Sequence, residues 1–260
     1  MQGIRGILQG LTRGLRGIGD LLLPESCAAC ANPNVSSDGL CEDCNVRLLG
    51  LVVLPYCPRC GATLGPNVTP REDGCAACPT PLPRFTRIFR LGPYAGPLRL
   101  GIQRVKYHRE EGLRHHLGTL LGQAVAAQQT GAPAELVLPV PMHWWRRLTR
   151  GYDHAGMLAQ TLAAQLRLPV GDELIRVRHT PPQPGLSRKA RIDNVRGAFG
   201  LASQAAISGA SILLVDDVTT TGATANEAVR TLLEGGASSV SLAVLAKADP
   251  PRAHSDRRTT

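Results

Sequence analysis

Most of this chain alternates between short apolar runs and apolar stripes at helical spacing, which is the pattern of an α/β fold. The strand candidates are 84–90, which alternates as an edge strand does, and the apolar runs 136–140, 212–215 and 239–245. The helix candidates are 98–107, 113–127, 153–166 and 225–233. Asp153 is placed to cap the third helix, and Gly235 follows the last one as a C-terminal stop. We therefore expect a sheet with helices packed against it.

Two adjacent acids and a run of small residues follow the apolar run at 212–215. Asp216 and Asp217 come first, and a stretch rich in threonine then leads directly into a helix. In open α/β sheets, ligands bind at the carboxyl ends of the strands, and the first amides of a following helix favour an anion. The two carboxylates would repel a phosphate, but they suit ribose hydroxyls or a magnesium ion. The combination indicates a site for a phosphorylated ribose.

The candidates for phosphate binding combine hydroxyl donors with small residues that allow a phosphate to approach the backbone. They are Thr219, Thr220, Thr221, Gly222, Ala223 and Thr224. A Walker A loop is excluded, because Gly222 is not followed by the lysine that this motif requires. A response-regulator receiver also carries paired acids after an apolar strand, but near the start of its domain and without such a phosphate nest. An ordinary strand–turn–helix capped by threonine is the remaining alternative.

The composition fits an enzyme-sized core. The chain has 260 residues, which predicts one or two domains, and 43% of them are hydrophobic. Its formal net charge of +9 suggests polyanionic partners such as pyrophosphate, nucleotides or nucleic acid, although a solvated arginine-rich face would give the same charge. No apolar run approaches the ~20 residues that a membrane span needs. We therefore expect no membrane span and a cytoplasmic location.

The two ends of the chain differ from the rest. Residues 1–26 carry an aliphatic stripe with arginines elsewhere, which predicts an amphipathic helix that docks on the fold. An export or transit peptide and a membrane-surface helix are the alternatives. A secretory signal fits poorly, because the segment lacks a continuous apolar core and a small-residue cleavage site. Residues 249–260 are rich in arginine and are expected to form a disordered basic tail.

All 8 cysteines occur in four C-x-x-C pairs within residues 27–83. The pairs are Cys27/Cys30, Cys41/Cys44, Cys57/Cys60 and Cys75/Cys78. The gap of two residues brings both sulfurs of a pair onto one metal, and two pairs complete a tetrahedral site. Disulfides would require an oxidising compartment, for which no export signal argues. We predict two structural zinc ions, with the first four cysteines on one and the last four on the other; an interleaved arrangement stays open.

Basic residues are concentrated at two further places. After the run at 136–140, again at the carboxyl end of a strand, come Arg146, Arg147 and Arg150. Segment 180–199 opens with proline and glycine, which indicates a mobile loop, and its basic cluster indicates anion contact through Arg188, Lys189 and Arg191. A solvated face is the simpler explanation of such a cluster. Lys106 is another candidate cation, although a helix-surface lysine is the simpler interpretation.

Several motifs occur together in one order. After the cysteine pairs come 94–99, Lys106-Tyr107, Pro139-Val140-Pro141, 147–151, the segment from Thr180 through Gln183 to Asn194, and 215–224. The last of these resembles the phosphoribosyl-pyrophosphate loop of type I phosphoribosyltransferases. The whole series, over roughly residues 22–246, resembles the ComF family. One departure is that the family continues after Gly151 with an aromatic, Asn and Gln, whereas here Tyr152 is followed by Asp153 and His154.

The resemblance implies a type I phosphoribosyltransferase fold at 84–248, with a mostly parallel twisted sheet flanked by helices. It also implies a small N-terminal double zinc-ribbon module at 27–83. The implied role is in DNA uptake during natural transformation, with single-stranded DNA and a helicase of the competence machinery as partners.

The resemblance implies phosphoribosyl pyrophosphate as the ligand. Thr219 to Thr224 would bind the 5′-phosphate, while Asp216 and Asp217 hold the ribose hydroxyls. The pyrophosphate and its magnesium would lie against the turn after Val140, contacted by Arg146, Arg147 or Arg150. Arg188, Lys189 and Arg191 could close over the site. Two hypotheses follow: a ligand-binding competence factor, or an active transferase of nucleotide salvage whose acceptor base is unknown.

Overall fold

The chain folds as an α/β protein. The computed structural model describes residues 26–107, 110–128, 133–142, 153–181, 183 and 185–248. In chain order the elements are α1 (Glu42–Val52), β1 (Ile88–Pro93), α2 (Gly96–Tyr107), α3 (Glu111–Gln128), β2 (Leu136–Pro139), α4 (His154–Leu166), β3 (Leu174–Arg176), α5 (Arg188–Val195), β4 (Phe199–Leu201), β5 (Ser211–Thr219), α6 (Ala223–Glu234) and β6 (Ser239–Lys247). The predicted N-terminal helix, the basic tail, Arg146, Arg147 and Arg150 lie outside the described residues, apart from position 26.

The main sheet has four strands in the order β1-β6-β5-β2, and every pairing within it is parallel. β5 lies inside the sheet, with Val215 opposite Pro139 of β2 on one side and Ala243 of β6 on the other. A short antiparallel pair, β3–β4, forms a second sheet. The predicted fold class is confirmed, and the carboxyl ends of the parallel strands meet at one edge.

The strands bury alternate residues on opposite faces of the sheet, as a pleated backbone requires. In β5, Leu213 and Val215 pack against the cluster formed with α2, α3 and α4. Ile212 and Leu214 of the same strand belong to the opposite cluster, which includes residues of α6. Both faces of the sheet are therefore covered, as expected for parallel strands with continuous apolar sequences.

Local signals for the helix ends are borne out. Asp153 caps α4, and its side chain accepts a hydrogen bond from the backbone N–H of Gly156 at 3.1 Å. Gly235 is the C-terminal cap of α6. Among the described residues, no helix is both long enough and apolar enough to cross a bilayer.

Three segments differ from the expectation. β5 continues to Thr219, so both acids lie within the strand rather than in a loop after it. β1 begins at Ile88 and its first five residues are all buried, so the alternation expected over 84–90 is wrong although the strand does lie at the sheet edge. Within the segment 180–199, predicted as a mobile loop, residues 188–195 form helix α5, whose N-terminal cap is Ser187.

Candidate functional site

The two predicted acids lie together in a cavity at the carboxyl edge of the sheet. Asp216 and Asp217 are partly buried and, with residues 219–220 and 222–224, line a cavity of about 400 Å³, which we call the acid cavity. Asp216 Oδ1 accepts a hydrogen bond from the backbone N–H of Asp217 at 2.8 Å, which restrains that carboxylate. The structure thus combines both acids and most of the predicted phosphate-binding residues in one place.

Lys106 of α2 also belongs to the acid cavity. Its Nζ lies 2.7 Å from Asp217 Oδ2, and only 24% of the lysine side chain and 23% of the aspartate side chain are exposed. The simpler interpretation of Lys106 as a helix-surface residue is therefore wrong. The available signal was the place of Lys106 in the family motif, which indicates a role at the site but does not name Asp217 as its partner.

Burial and the neighbouring charge of Asp217 raise the pKa of Asp216 to about 7. Asp217 also affects His154, which is only 5% exposed. Burial lowers the pKa of His154, and the charge of Asp217 opposes that change. Two adjacent partly buried carboxylates repel each other unless cations or hydrogen-bond donors compensate them. Lys106 supplies one positive charge, and the geometry leaves the acid cavity suited to a further cation or to hydroxyl donors.

The turn from β5 into α6 forms the phosphate loop, residues 219–224. Gly222 is the N-terminal cap of α6 with φ of 76°, a left-handed conformation that a side chain would strain. Thr221 Oγ1 accepts from the backbone N–H of Ala223 at 3.4 Å. The first turn of a helix leaves its amides without intrahelical partners, and Ala223 and Thr224 of that turn line the acid cavity. The arrangement favours an anion there.

The chain around α5 lies against the phosphate loop. Arg191 Nη1 donates to Thr220 Oγ1 at 2.8 Å, and its Nε donates to the backbone oxygen of Leu186 at 3.0 Å. Gln183 Nε2 donates to Thr224 Oγ1 at 3.0 Å. Arg191 is therefore brought to the site as the basic cluster predicted, and Gln183 is a contact that the residue chemistry alone did not identify.

The other predicted basic residues are placed differently. Arg188 and Lys189 are both exposed, and neither is among the described residues that line the acid cavity. Tyr94 does line it, although the sequence assigned it no role. Its position directly after β1 was the available signal, because ligand-binding groups in this fold follow the carboxyl ends of strands.

The predicted pyrophosphate turn begins beside the acids. β2 pairs with β5 so that Pro139 lies opposite Val215, and the backbone N–H of Val140 donates to Val215 oxygen at 2.8 Å. The chain therefore leaves β2 next to Asp216. Arg146, Arg147 and Arg150 lie outside the described residues, and their roles stay predictions.

The eight cysteines form two four-cysteine sites with the sequential pairing. The first zinc site consists of Cys27, Cys30, Cys41 and Cys44, and the second zinc site consists of Cys57, Cys60, Cys75 and Cys78. Within each site all sulfurs lie within 4.8 Å of one another. Cross-pair distances are 3.5 Å for Cys30–Cys41 and 3.8 Å for Cys60–Cys75. Four sulfurs around zinc at 2.3 Å are about 3.8 Å apart, so both sites fit the ion.

The second zinc site is joined to the phosphate-loop helix by hydrogen bonds. Arg59, inside the third C-x-x-C pair, donates to the backbone oxygens of Pro83 at 3.0 Å and Phe85 at 2.9 Å. The backbone N–H of Arg84 then donates to Asn226 Oδ1 of α6 at 2.7 Å. The linker after the zinc ribbon is thus fixed to both neighbours, which places the second zinc site near the phosphate loop.

Comparison with known proteins agrees with this architecture. The family model of a double zinc ribbon domain matches residues 18–83, and that of a phosphoribosyl transferase domain matches residues 153–259. Competence protein F of Haemophilus influenzae is 34% identical over 229 residues, which is 85% of this chain and 96% of that protein. DNA utilization protein YhgH of Salmonella typhi is 33% identical over 225 residues, with the same coverage, and that of Escherichia coli K12 is 30% identical.

Solved structures overlap the chain in part. The glutamine phosphoribosylpyrophosphate amidotransferase from B. subtilis matches 50% of this chain and 25% of its own at 24% identity, with a TM-score of 0.35. A hypoxanthine phosphoribosyltransferase from Staphylococcus aureus matches 52% of this chain and 62% of its own at 14% identity, with a TM-score of 0.32. The alignments span almost the whole length of these relatives at 30–34% identity, and the zinc-ribbon model precedes the phosphoribosyl transferase model along this chain. The chain belongs to the ComF family.

Proposed function

We propose that this protein binds phosphoribosyl pyrophosphate with magnesium and acts in DNA uptake during natural transformation, where it contacts single-stranded DNA. The acid cavity carries the proposal, because it combines two carboxylates with a phosphate loop at the N-terminus of α6. A cytoplasmic location and contact with a helicase of the competence machinery are parts of the same proposal.

The chemistry of the acid cavity matches the parts of the proposed ligand. The 5′-phosphate would bind the threonine hydroxyls and amides of the phosphate loop, where the helix dipole favours an anion. Asp216 and Asp217 would accept hydrogen bonds from the ribose hydroxyls. Lys106 keeps Asp217 in place through their 2.7 Å ion pair.

The carboxylates also fit a magnesium ion, which is usually held by one or two carboxylates together with substrate phosphates. When bound, magnesium neutralises negative charge on the pyrophosphate. Ionised Asp216 would be favoured by such a cation, which offsets the effect of burial and of Asp217.

The DNA part of the proposal is supported by the relatives and by charge. The relatives are named for competence and for DNA utilization. The net charge of +9 gives the chain an electrostatic attraction to a polyanion. If the contact is direct, its affinity for single-stranded DNA falls steeply with salt. Filter binding between 50 and 200 mM salt tests this, and the absence of any salt-sensitive affinity near physiological ionic strength contradicts it.

Calorimetric titration with phosphoribosyl pyrophosphate and magnesium tests the ligand. We expect binding by the natural chain and none by the D216A/D217A double variant. The matched control is E72A/D73A, which removes two adjacent exposed acids from the zinc module. Binding retained by D216A/D217A contradicts the site.

An active transferase of nucleotide salvage or metabolism is the second candidate function. It is favoured by the phosphoribosyl transferase family model over residues 153–259. Such an enzyme would release pyrophosphate from phosphoribosyl pyrophosphate when supplied with its acceptor base. A panel of purine and pyrimidine bases, assayed for pyrophosphate, tests this. If no base in the panel causes pyrophosphate release while phosphoribosyl pyrophosphate still binds, the ligand-binding competence factor is favoured.

A further inference from the structure

A second cavity lies between the phosphate loop and the second zinc site. We call it the ribbon cavity; its volume is about 490 Å³, within the range of roughly 300–1,000 Å³ that is typical of small-molecule sites. Three parts of the chain form its walls: the second zinc site with its linker, the start of α5, and the phosphate loop with the end of β6. The function described above leaves this space without a role.

The chemistry of the ribbon cavity differs from that of the acid cavity. One wall is apolar and is built by Ala62, Ala77, Pro79 and Phe85. The lining also includes three cations, Arg188, Arg191 and Lys247, and none of the described lining residues is acidic. An apolar wall beside a cationic rim is complementary to a planar ring that carries an anionic group.

The phosphate loop separates the two cavities. Arg191, Thr219, Thr220 and Gly222 line both. Two cations hold the phosphate loop between the cavities, since Arg191 donates to Thr220 Oγ1 at 2.8 Å and Lys247 Nζ donates to the backbone oxygen of Thr220. A ring in the ribbon cavity would thus lie beside Arg191 and the phosphate loop, which are suited to bind the phosphate attached to it.

The order of the strands places the ribbon cavity away from strand β2. Lys247 and Ala248 at the end of β6 line it. β6 flanks β5 on one side, and β2, which leads into the pyrophosphate turn, flanks it on the other. A ring in the ribbon cavity would therefore lie on the β6 side of β5, away from the end of β2 at Pro139.

We propose that the ribbon cavity binds the base of a nucleotide, with the attached phosphate on Arg188 and Arg191. A free nucleotide and one unit of a single-stranded DNA chain offer this same chemistry. The inference deepens the proposed function and rests on it for the ligand of the neighbouring acid cavity, whereas the ribbon cavity itself rests on its own geometry. It also gives a role to Arg188, which lines the ribbon cavity but does not line the acid cavity.

The test compares two positions in one C-x-x-C pair. Ala77 and Ala76 are both exposed, but Ala77 lines the ribbon cavity and Ala76 is not among its lining residues. A77W should fill the cavity, and A76W is the matched control. The probes are deoxythymidine monophosphate, a single-stranded 20-mer of deoxythymidylate, and an abasic 20-mer with the same backbone.

We expect A77W to weaken binding of the 20-mer about tenfold, because losing one stacked base costs about this much, and A76W to leave it unchanged. The abasic strand should bind weakly and equally to both variants. Binding of the mononucleotide alone identifies a free nucleotide as the ligand, and binding of the 20-mer with a loss in A77W identifies the strand. Equal affinities of A77W and A76W for both base-containing probes, or no binding of either probe to the natural chain, overturn the proposal.

Three further measurements keep the test decisive. A62L narrows the cavity from a different part of its wall and replaces A77W if that variant loses zinc or folded structure. In the natural chain, ultraviolet crosslinking of a strand that contains 5-iodouracil should label the segment 77–85; a label found only elsewhere contradicts the proposal. Titration of A77W with phosphoribosyl pyrophosphate separates the ribbon-cavity proposal from the proposed function. A77W should still bind this ligand even if the base site is lost. If the natural chain also fails to bind it, the result counts against the proposed function alone.

Discussion

The two zinc sites have the same four ligands but different surroundings. Cys27, Cys41 and Cys44 of the first site are buried and belong to the apolar cluster shared with α2, α3 and α4, while its fourth ligand, Cys30, is exposed. In the second site Cys75 and Cys78 are only partly buried, and Cys60 lines the ribbon cavity beside the phosphate loop. One site is part of the hydrophobic core, and the other is part of the wall of a cavity.

This difference separates a structural use of zinc from a positioning use. The first site replaces core that a small module could not otherwise build, so its loss should affect the whole fold. The second site holds residues 57–78 and, through Arg59, the linker that contacts α6. Its loss should therefore affect binding more than stability. Removing one cysteine from each site tests that division.

The largest effect is expected from C44A. Cys44 is 2% exposed and packs in the shared cluster, so the variant loses one zinc and leaves a gap in the core. We expect the zinc content to fall from two ions to one and the thermal midpoint to fall by about 10 °C or more. Metal analysis and thermal unfolding measure both. A midpoint equal to that of the natural chain would show that the first site carries no core energy.

C78A removes a ligand from the second site and serves as the counterpart. Zinc content should again fall to one ion, but the thermal midpoint should fall by about half as much, because Cys78 is only partly buried and lies outside the apolar cluster that contains Cys44. Binding of the single-stranded 20-mer should be lost, while C44A protein that remains folded should retain it. If both variants lose stability equally and binding equally, the division between the two sites is wrong.

The sequence could predict features that depend on residues close together in the chain, but not contacts between distant residues. Spacing alone identified both zinc sites, the cap at Asp153 and the acids of β5, since each depends on residues close together in the chain. The ion pair between Lys106 and Asp217 joins residues far apart in sequence, and so does the contact of Arg59 with Phe85. No local pattern encodes such contacts.

The wrong prediction for strand β1 has a physical cause as well. β1 lies at the sheet edge, but the zinc module covers it: the backbone N–H of Ile88 donates to Pro58 oxygen at 2.8 Å, and the Arg90 guanidinium lies 4.8 Å from the ring centre of Tyr56. A covered edge strand is buried on both faces and shows no alternation. The ribbon cavity could not be predicted from the sequence either, because its walls come from distant parts of the chain that meet only where the zinc module packs against the rest of the fold.

A smaller effect is expected from K106M in the acid cavity. It leaves the partly buried Asp217 without its lysine, which should cost about 1–3 kcal/mol of unfolding free energy. The matched control is R104M on the same helix, which removes the more exposed pair between Arg104 and Glu110 and should cost less than about 1 kcal/mol. Denaturant unfolding measures both. Equal losses would mean that the shielding of Lys106 is of no energetic consequence.

The smallest effect, and the one with the opposite sign, is expected from D216N. Because the pKa of Asp216 is raised to about 7 in the folded chain, the folded state keeps a proton that the unfolded state loses near pH 4. The contribution of this group to stability is therefore complete below about pH 4 and is lost as the pH rises through about 7. Asparagine cannot ionise, so D216N should raise the thermal midpoint by about 3 °C at pH 8 and by less at pH 5.5. D217N is the control: it makes the same chemical change but breaks the pair with Lys106, and should lower the midpoint at pH 8. A D216N midpoint below that of the natural chain at pH 8 would show that the ionised acid stabilises the fold. A gain would indicate that the acid cavity gives up stability to keep a carboxylate where a ligand can bind it.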